Sequence, residues 1–268
     1  MASQRAMAHA PWSASKVQTA LRCPRLFHYR YIEKVPEPET MPETRIGKAV
    51  HLALEKSLSD MSLEESIEKG KKYLEDEVEE QRYQKLCLNI PPFLEKFESF
   101  NDVRGSRKPM VEFAMSITED KRPTSFFSKK GLYRGIIDLA FRYDGDKCAV
   151  LDHKSGQKHP HKSIFDQLEG YAVLAAHTLS GVRQIILGIH WVSDSTVDWS
   201  KPVDVQTVKS KTCDLLISNI EAAALAVADG PRPQPTSWCL RCSYRSICDV
   251  GQSMRYEPID EEPDPYRV

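Results

Sequence analysis

Apolar residues recur at helical spacing over 46–58, where Ile46, Ala49, Val50, Ala53, Leu54 and Leu58 fall on one face. Ahead of them, Ser13 or Ser15 can cap a helix running to Arg22, and Pro24 suits the first turn of a second helical stretch reaching Lys34. Three prolines within 35–42 make a loop. Ser62-Leu63-Glu64-Glu65 is a capping box that predicts a charged helix to Tyr83. A short helix follows over 91–100, then a loop over 101–109. The period then shortens to two. Residues 111–117 and 133–143 alternate like strands, and Asp144-Gly145-Asp146 supplies a hairpin turn into a strand over 147–154. A helix over 163–179, an apolar strand over 184–192 and an alanine-rich helix over 208–228 complete the order. Gly230-Pro231 stops the last helix, and Pro231, Pro233 and Pro235 stiffen the link beyond it. No internal repeat is present, and this order implies a mixed α/β fold around a central sheet.

With 268 residues, 41% hydrophobic and 28% charged, the chain has ample material for one large domain or two small ones. No apolar run approaches the roughly 18 residues of a membrane span, and residues 1–10 lack the apolar core of a signal peptide, so a cytoplasmic protein is expected. Residues 1–12 are expected to be disordered, as is the acidic, proline-containing tail over 251–268.

A net charge of −1 gives no support for nucleic-acid binding, but local charge does. Arg22, Arg25, His28, Arg30 and Lys34 interleave with Phe27, Tyr29 and Tyr31. Lys121, Arg122, Lys129, Lys130 and Arg134 form a second basic group; Lys154, Lys158, His159, His161 and Lys162 form a third. Each group is equally well read as a solvated face.

Seven cysteines, an odd number in a chain expected to be cytoplasmic, favour metal over disulfides. Cys87, Cys148 and Cys213 stand alone and read as small buried apolar residues. Cys239, Cys242 and Cys248 form C-x2-C-x5-C, and Cys23 lies more than two hundred residues earlier. Four thiolates suit either a tetrahedral zinc or a cubane iron–sulfur cluster. Either would tie the two ends of the chain together.

Asp152 and Lys154 are two apart, so on a strand their side chains share a face, and Asp138 on the preceding hairpin strand can stand beside them. Two carboxylates and a lysine at one spot suit phosphodiester hydrolysis. The carboxylates take Mg²⁺ or Mn²⁺, and the lysine orients water or balances developing negative charge. An exposed pair on a hairpin edge explains the same residues. His51 on its helix is a further candidate ligand, although a lone helical histidine is more often a packing residue. Gln167 and Tyr171, one helical turn apart, can bond phosphates or bases, or be a buried tyrosine and its neighbour.

Taken together, Cys23-Pro24, Gly47 to His51, Gly135 to Asp138, Asp152 to Lys154, Gln167 to Tyr171 and the terminal cysteines follow a familiar order. Over about residues 13–250 the chain resembles the RecB-like branch of the PD-(D/E)XK nuclease superfamily. The likeness is greatest to its iron–sulfur members, the AddB-type nuclease domains and the small exonucleases of CRISPR adaptation. The resemblance implies a restriction-endonuclease-like nuclease domain over 13–250, with a central mixed sheet flanked by helices. The N-terminal helices and the cysteine segment would be joined by a [4Fe–4S] cluster on Cys23, Cys239, Cys242 and Cys248. It implies Mg²⁺ or Mn²⁺ held by His51, Asp138, Asp152 and the carbonyl of His153. Lys154 would be the catalytic lysine, and Gln167 and Tyr171 would position DNA. Glu112 falls where related nucleases place an acid, although a strand-edge glutamate is the simpler reading.

The implied activity is that of a metal-dependent DNA exonuclease acting on single-stranded ends, in recombination and repair, CRISPR adaptation or phage DNA metabolism. Arg25 and Lys158 would be DNA contacts, and Phe27 and Tyr29 either stack bases or belong to the core. The chain has no Walker A sequence, so a helicase or CRISPR adaptation partner would be a separate protein, and no membrane is implied. Asp152 stands where many superfamily members have Glu. The competing readings are a catalytically silent DNA-binding or assembly subunit, and a zinc-stabilised nuclease without iron–sulfur.

Overall fold

A computed structural model describes residues 4–38, 41–99, 108–158 and 162–254. His159, His161, the 101–107 segment and the tail beyond 254 lie outside the described residues. The N-terminal helices are α1 (Gln4–Ala8), α2 (Ala14–Arg22) and α3 (Pro24–Phe27), the last running into a π-helical turn, His28–Ile32. Ser13 caps α2 through the Lys16 amide. A helical layer follows: α4 (Pro42–Leu58), α5 (Leu63–Gly70), α6 (Glu77–Cys87) and α7 (Ile90–Ser99). The sheet comprises β1 (Met110–Thr118), β2 (Gly131–Tyr143), β3 (Lys147–Lys154), β4 (Gln184–Trp191), β5 (Thr196–Trp199) and β6 (Val203–Asp204). Between β3 and β4 runs α8 (Lys162–Thr178), and after β6 come α9 (Val205–Thr207), α10 (Cys213–Ala228) and α11 (Asp249–Ser253).

The strand order is β1-β2-β3-β4-β5, with β6 also on β4. The β1–β2 and β2–β3 pairs are antiparallel hairpins; β3 and β4 are parallel and joined through α8. A parallel pair needs such a crossover, and a helix supplies it. The sheet separates two apolar layers. Ile137, Val150 and Ile189 pack with α8, α10 and the N-terminal helices, while Leu139, Ala149 and Leu151 pack with α4, α6 and α7. This is the mixed sheet flanked by helices that the pattern predicts. No helix among the described residues is long and apolar enough to cross a membrane.

The structure departs from the sequence reading in four places. Residues 4–12 are ordered, not disordered: Trp12 is fully buried, donates Nε1–H to the Ala6 carbonyl at 2.8 Å and lies against Phe27. The charged helix expected from Ser62 to Tyr83 is two helices, because Asp76 caps a new start by accepting from the Glu79 amide. The stretch expected to be helical to Lys34 ends at Ile32, where Lys34 takes φ 54°. Strands β5 and β6 were invisible to periodicity, being four and two residues long.

Candidate active site

The sheet forks at the site. Strands β2 and β3 pair only from Leu139↔Leu151 to Tyr143↔Lys147. Beyond that, β3 stays with β4 as far as Lys154↔Trp191, while β2 stays with β1. The edge of β2 that β3 vacates is taken by the N-terminal segment: the Trp12 amide donates to Leu132 and its carbonyl accepts from Arg134. Asp138 and Asp152 therefore stand on either side of a gap.

Strand alternation also breaks here. Val111 and Leu139 pack in the α4 layer, yet Phe113 and Ile137, two residues away on the same strands, pack in the α8 layer. Regular pleating keeps i and i+2 on one face, so both strands shift face between them, at Glu112 and Asp138. Glu112 adopts φ 47°, rare outside glycine. Backbone strain of this kind concentrates at functional sites. On the α8 side, a Cβ at Gly135 would lie 2.9 Å from the Tyr171 ring, so a glycine there lets Tyr171 approach the strand.

Helix α4 aims His51 into the gap. Its Nε2 is 2.9 Å from the His153 carbonyl and its Nδ1 is 3.5 Å from Asp138 Oδ2, which also accepts from the His153 amide at 2.7 Å. Donor atoms of His51, Glu112 and Asp138 lie within 4.8 Å of one another. A neutral imidazole that donates from Nε2 keeps its Nδ1 lone pair toward Asp138. Burial holds His51 below its ordinary pKa, against the pull of Asp152. Burial, then the charge of Asp152, pushes Asp138 up to about 7. Glu112, an exposed residue whose carboxyl borders the gap, is pushed up by partial desolvation and then by Asp138. Each acid thus opposes the ionisation of its neighbour.

Asp152, 1% exposed, faces α8. Its Oδ1 accepts from Gln167 Nε2 at 2.9 Å, and Lys154 Nζ stands 2.6 Å from Oδ2. At that distance the ammonium satisfies Oδ2, so both oxygens of the buried carboxylate are held. Gln167 Oε1 accepts from Lys154 at 3.2 Å, and Gln167 Nε2 also donates to the Tyr171 hydroxyl at 2.8 Å. The glutamine thus fixes both the acid and the lysine. Burial raises the Tyr171 phenol well above its ordinary range, so it stays protonated.

Every residue singled out from the D-x-K, G-x-x-x-H and Q-x-x-x-Y patterns converges on this gap. Sequence reading underweighted Glu112, whose signal is the strained backbone and not its residue type. It missed His190, which holds His153 by a 2.8 Å Nδ1···Nδ1 contact and stacks on Phe93 at 3.8 Å. Burial lowers His190 to about 3. This neutral pair forms the apolar wall behind the gap.

The four singled-out cysteines, all free, line one cavity of about 130 Å³. Cys242 is raised by burial and by the neighbouring Cys23, Cys239 and Cys248. Cys87, Cys148 and Cys213 are buried apart from them, as expected of small apolar residues. Two expected DNA contacts are engaged otherwise: Arg25 pairs with Asp249, and Lys158 with Asp198 at 2.7 Å. Phe27 is fully buried in the core and cannot stack on a base, while Tyr29 stacks on Tyr244 at 5.3 Å.

Acids, an imidazole and an acid-paired lysine in a gap between diverging strands are a combination suited to metal-assisted phosphodiester cleavage. The sequence matches the PD-(D/E)XK nuclease superfamily over residues 11–249, and the chain belongs to that superfamily. No curated protein matches the sequence. Among solved structures, a "putative exonuclease" from Eubacterium rectale is 12% identical at a TM-score of 0.50, over 94% of this chain and 89% of that one. The protein SSO0001 is 14% identical at a TM-score of 0.35, over 88% of this chain and 95% of that one. At such identities the first likeness speaks for the fold alone, and the second carries no argument. The superfamily assignment makes the chain a nuclease that uses a divalent metal.

Proposed function

We propose that the chain is a Mg²⁺- or Mn²⁺-dependent DNA exonuclease of the RecB-like iron–sulfur branch, acting on single-stranded ends. The observation that carries the catalytic part is the gathering of His51, Glu112 and Asp138, whose donor atoms lie within 4.8 Å of one another, beside the buried Asp152–Lys154 ion pair. Carboxylate oxygens, a neutral imidazole and the His153 carbonyl are hard and borderline donors that suit such a cation. His51, Asp138, Asp152 and that carbonyl would hold it, with Glu112 at the edge. A bound divalent ion polarises the phosphate and lowers the pKa of its water.

The chain's own residues do the rest. Lys154 brings a fixed positive charge to the developing phosphorane. Asp152 and Gln167 hold that ammonium in place, and Tyr171 holds the glutamine amide. The His153–His190–Phe93 wall keeps water from one side of the gap. A gap roofed by helices accepts a flexible single strand more readily than an intact duplex.

The cysteine cavity fits a metal group: four free thiols line it, with Arg22 among them and Arg25 and Arg30 alongside, the last two paired with Asp249 and Glu37. The family resemblance, together with Cys23 lying in one cavity with the C-x2-C-x5-C group, favours the [4Fe–4S] cluster over zinc. Recombination and repair, CRISPR adaptation and phage DNA metabolism are the settings that suit such an enzyme, with any helicase supplied by a separate protein.

The test is an anaerobic purification followed by assay on end-labelled single- and double-stranded DNA with Mn²⁺. We expect about four irons per chain. We expect progressive loss of single-stranded ends, abolished by chelation and in Asp152→Ala and Lys154→Ala, both of which still bind DNA. A wild-type protein that degrades neither DNA form in Mg²⁺ or Mn²⁺ is a binding subunit. Stoichiometric zinc in place of iron removes the cluster.

A further inference from the structure

We infer that the exposed face of β2 and the β1–β2 connection form the track along which a single-stranded DNA tail lies as its end enters the gap. This rests on the nuclease reading and names the surface that holds its substrate. Beyond the break at Glu112 and Asp138, the α4 layer no longer covers the sheet. Ala114 and Ile136, directly paired across β1 and β2, are exposed, Ile136 by 40% although it sits in mid-strand. Ile136 lines the same cavity as His51, Glu112 and Asp138, so the bare face and the site are continuous.

Two residues farther along that face, the Arg134 guanidinium lies 4.9 Å from the Phe126 ring centre and donates to the Phe126 carbonyl at 3.3 Å. Among the described residues it has no carboxylate partner. Phe126 meets Phe127 edge-on at 5.3 Å, and Phe127 is 84% exposed, more than any other large apolar side chain described. Lys129 and Lys130 follow, both exposed and, among the described residues, without ion pairs. Lys121 is on a different errand, paired with Asp214 at 3.6 Å. Glu119 and Asp120 form the tight turn that follows Thr118, the residue of β1 that pairs with Gly131.

The order away from the metal site is thus apolar shelf, cation on an aromatic ring, bare aromatic ring, two lysines. Single-stranded nucleic acid is bound by this combination of a cationic path with aromatic platforms. Strand rise puts Ile136 about 7 Å and Arg134 about 13 Å from Asp138, steps that suit successive nucleotides of an extended strand. A protein partner would also cover Phe127, but it would not call for unpaired cations leading into a carboxylate-lined gap.

Binding is measured on the full chain carrying Asp152→Asn, which silences cleavage, with fluorescein-labelled oligothymidylates of two to twenty nucleotides. Affinity is expected to climb steeply between two and about six nucleotides. Adding Phe127→Ala weakens the 20-mer about tenfold and flattens that climb. Lys129→Ser with Lys130→Ser lowers the slope of log affinity against log salt by about 1.4, the share of two lost phosphate contacts on a single strand. All three side chains are exposed, so the fold tolerates the changes. Unchanged affinity and unchanged slope overturn the track, and so does a loop change that alters only self-association. Cleavage by the wild type in Mn²⁺ reads the nuclease assignment separately. Cleavage with loop-independent binding sinks the track alone, while loop-dependent binding without cleavage keeps the track and sinks the nuclease.

Discussion

Asp138 holds its proton to about pH 7 because burial and the Asp152 charge both oppose ionisation. In the unfolded chain the same carboxyl releases it near its ordinary value, about 3.9. The folded state therefore binds the extra proton between those values. The stability it brings is present below the lower value and is lost as pH rises through about 7. Glu112 acts in the same direction. Relative to Asp138→Asn, in which the buried neutral histidines His153 and His190 contribute equally, the metal-free wild type should lose stability between pH 5.5 and pH 8, and Mn²⁺ should offset that loss by binding the ionised acids. Asp138→Asn still accepts from the His153 amide; it should flatten the pH profile and raise metal-free stability at pH 8 by at least about 1 kcal/mol. A metal-free Asp138→Asn protein whose melting follows the wild type across this range would contradict the assignment. Gln167 makes a second residue-scale case. Its amide is engaged by Asp152, Lys154 and Tyr171 and presents little to DNA. Gln167→Leu should lower kcat about 10- to 100-fold, the usual effect of losing a supporting partner, with KM for DNA nearly unchanged. A rise in KM at constant kcat would instead make it a DNA contact.

At the scale of elements, Gly70 lets the end of α5 pack closely against α4 and α6. A Cβ there would lie 2.1 Å from the Tyr83 hydroxyl and 2.7 Å from the Ala49 carbonyl. The hydroxyl is fixed by donating to Ile67, and the carbonyl belongs to α4. Gly70→Ala should therefore destabilise the protein by about 1–3 kcal/mol through overpacking, read by denaturant unfolding; a loss below about 0.5 kcal/mol would show that α5 moves freely against α4. This is also where sequence reading ran out. The capping box at Ser62 was legible because its partners are three residues apart: the Glu65 amide does donate to Ser62 Oγ. The break before Asp76 was not, because residues 71–76 carry no glycine or proline to mark it. Glu79 looked like one more solvated acid, yet it is buried and gripped by Arg45 from α4. The face change at Glu112 and Asp138 was hidden too. It occurs in both paired strands at once, so neither strand alone shows a defect. The site residues were legible as types at spacings; their roles depend on which side of the fork each one faces.

At the scale of the molecule, the question is how much of the fold depends on whatever the four cysteines hold. The two ends of the chain already meet without it. Arg25 pairs with Asp249 and donates to the Pro231 carbonyl at 3.1 Å; the Tyr244 hydroxyl donates to Val35 at 2.9 Å; Ser243 donates to Glu37 at 2.9 Å. Tyr29 stacks on Tyr244, and the buried faces of α2 and α10 share one core. A cross-link between sites more than two hundred residues apart could contribute up to about 4–5 kcal/mol by restricting the unfolded chain. The contacts just named keep the cysteine segment docked when that link is lost. Cys242→Ser should then lose its metal and melt roughly 5–15 °C lower, on the usual 2–4 °C per kcal/mol for a chain of this size. It should keep its far-ultraviolet circular dichroism and a cooperative transition. An unfolded or aggregated Cys242→Ser protein would make the metal a folding requirement, and an unchanged melting temperature would mean that the cysteines hold nothing. Arg25→Ala in the metal-loaded protein separates the two contributions: if the ends dock through their own side chains, it lowers the melting temperature further in Cys242→Ser than in the wild type, because only there is the docking unsupported.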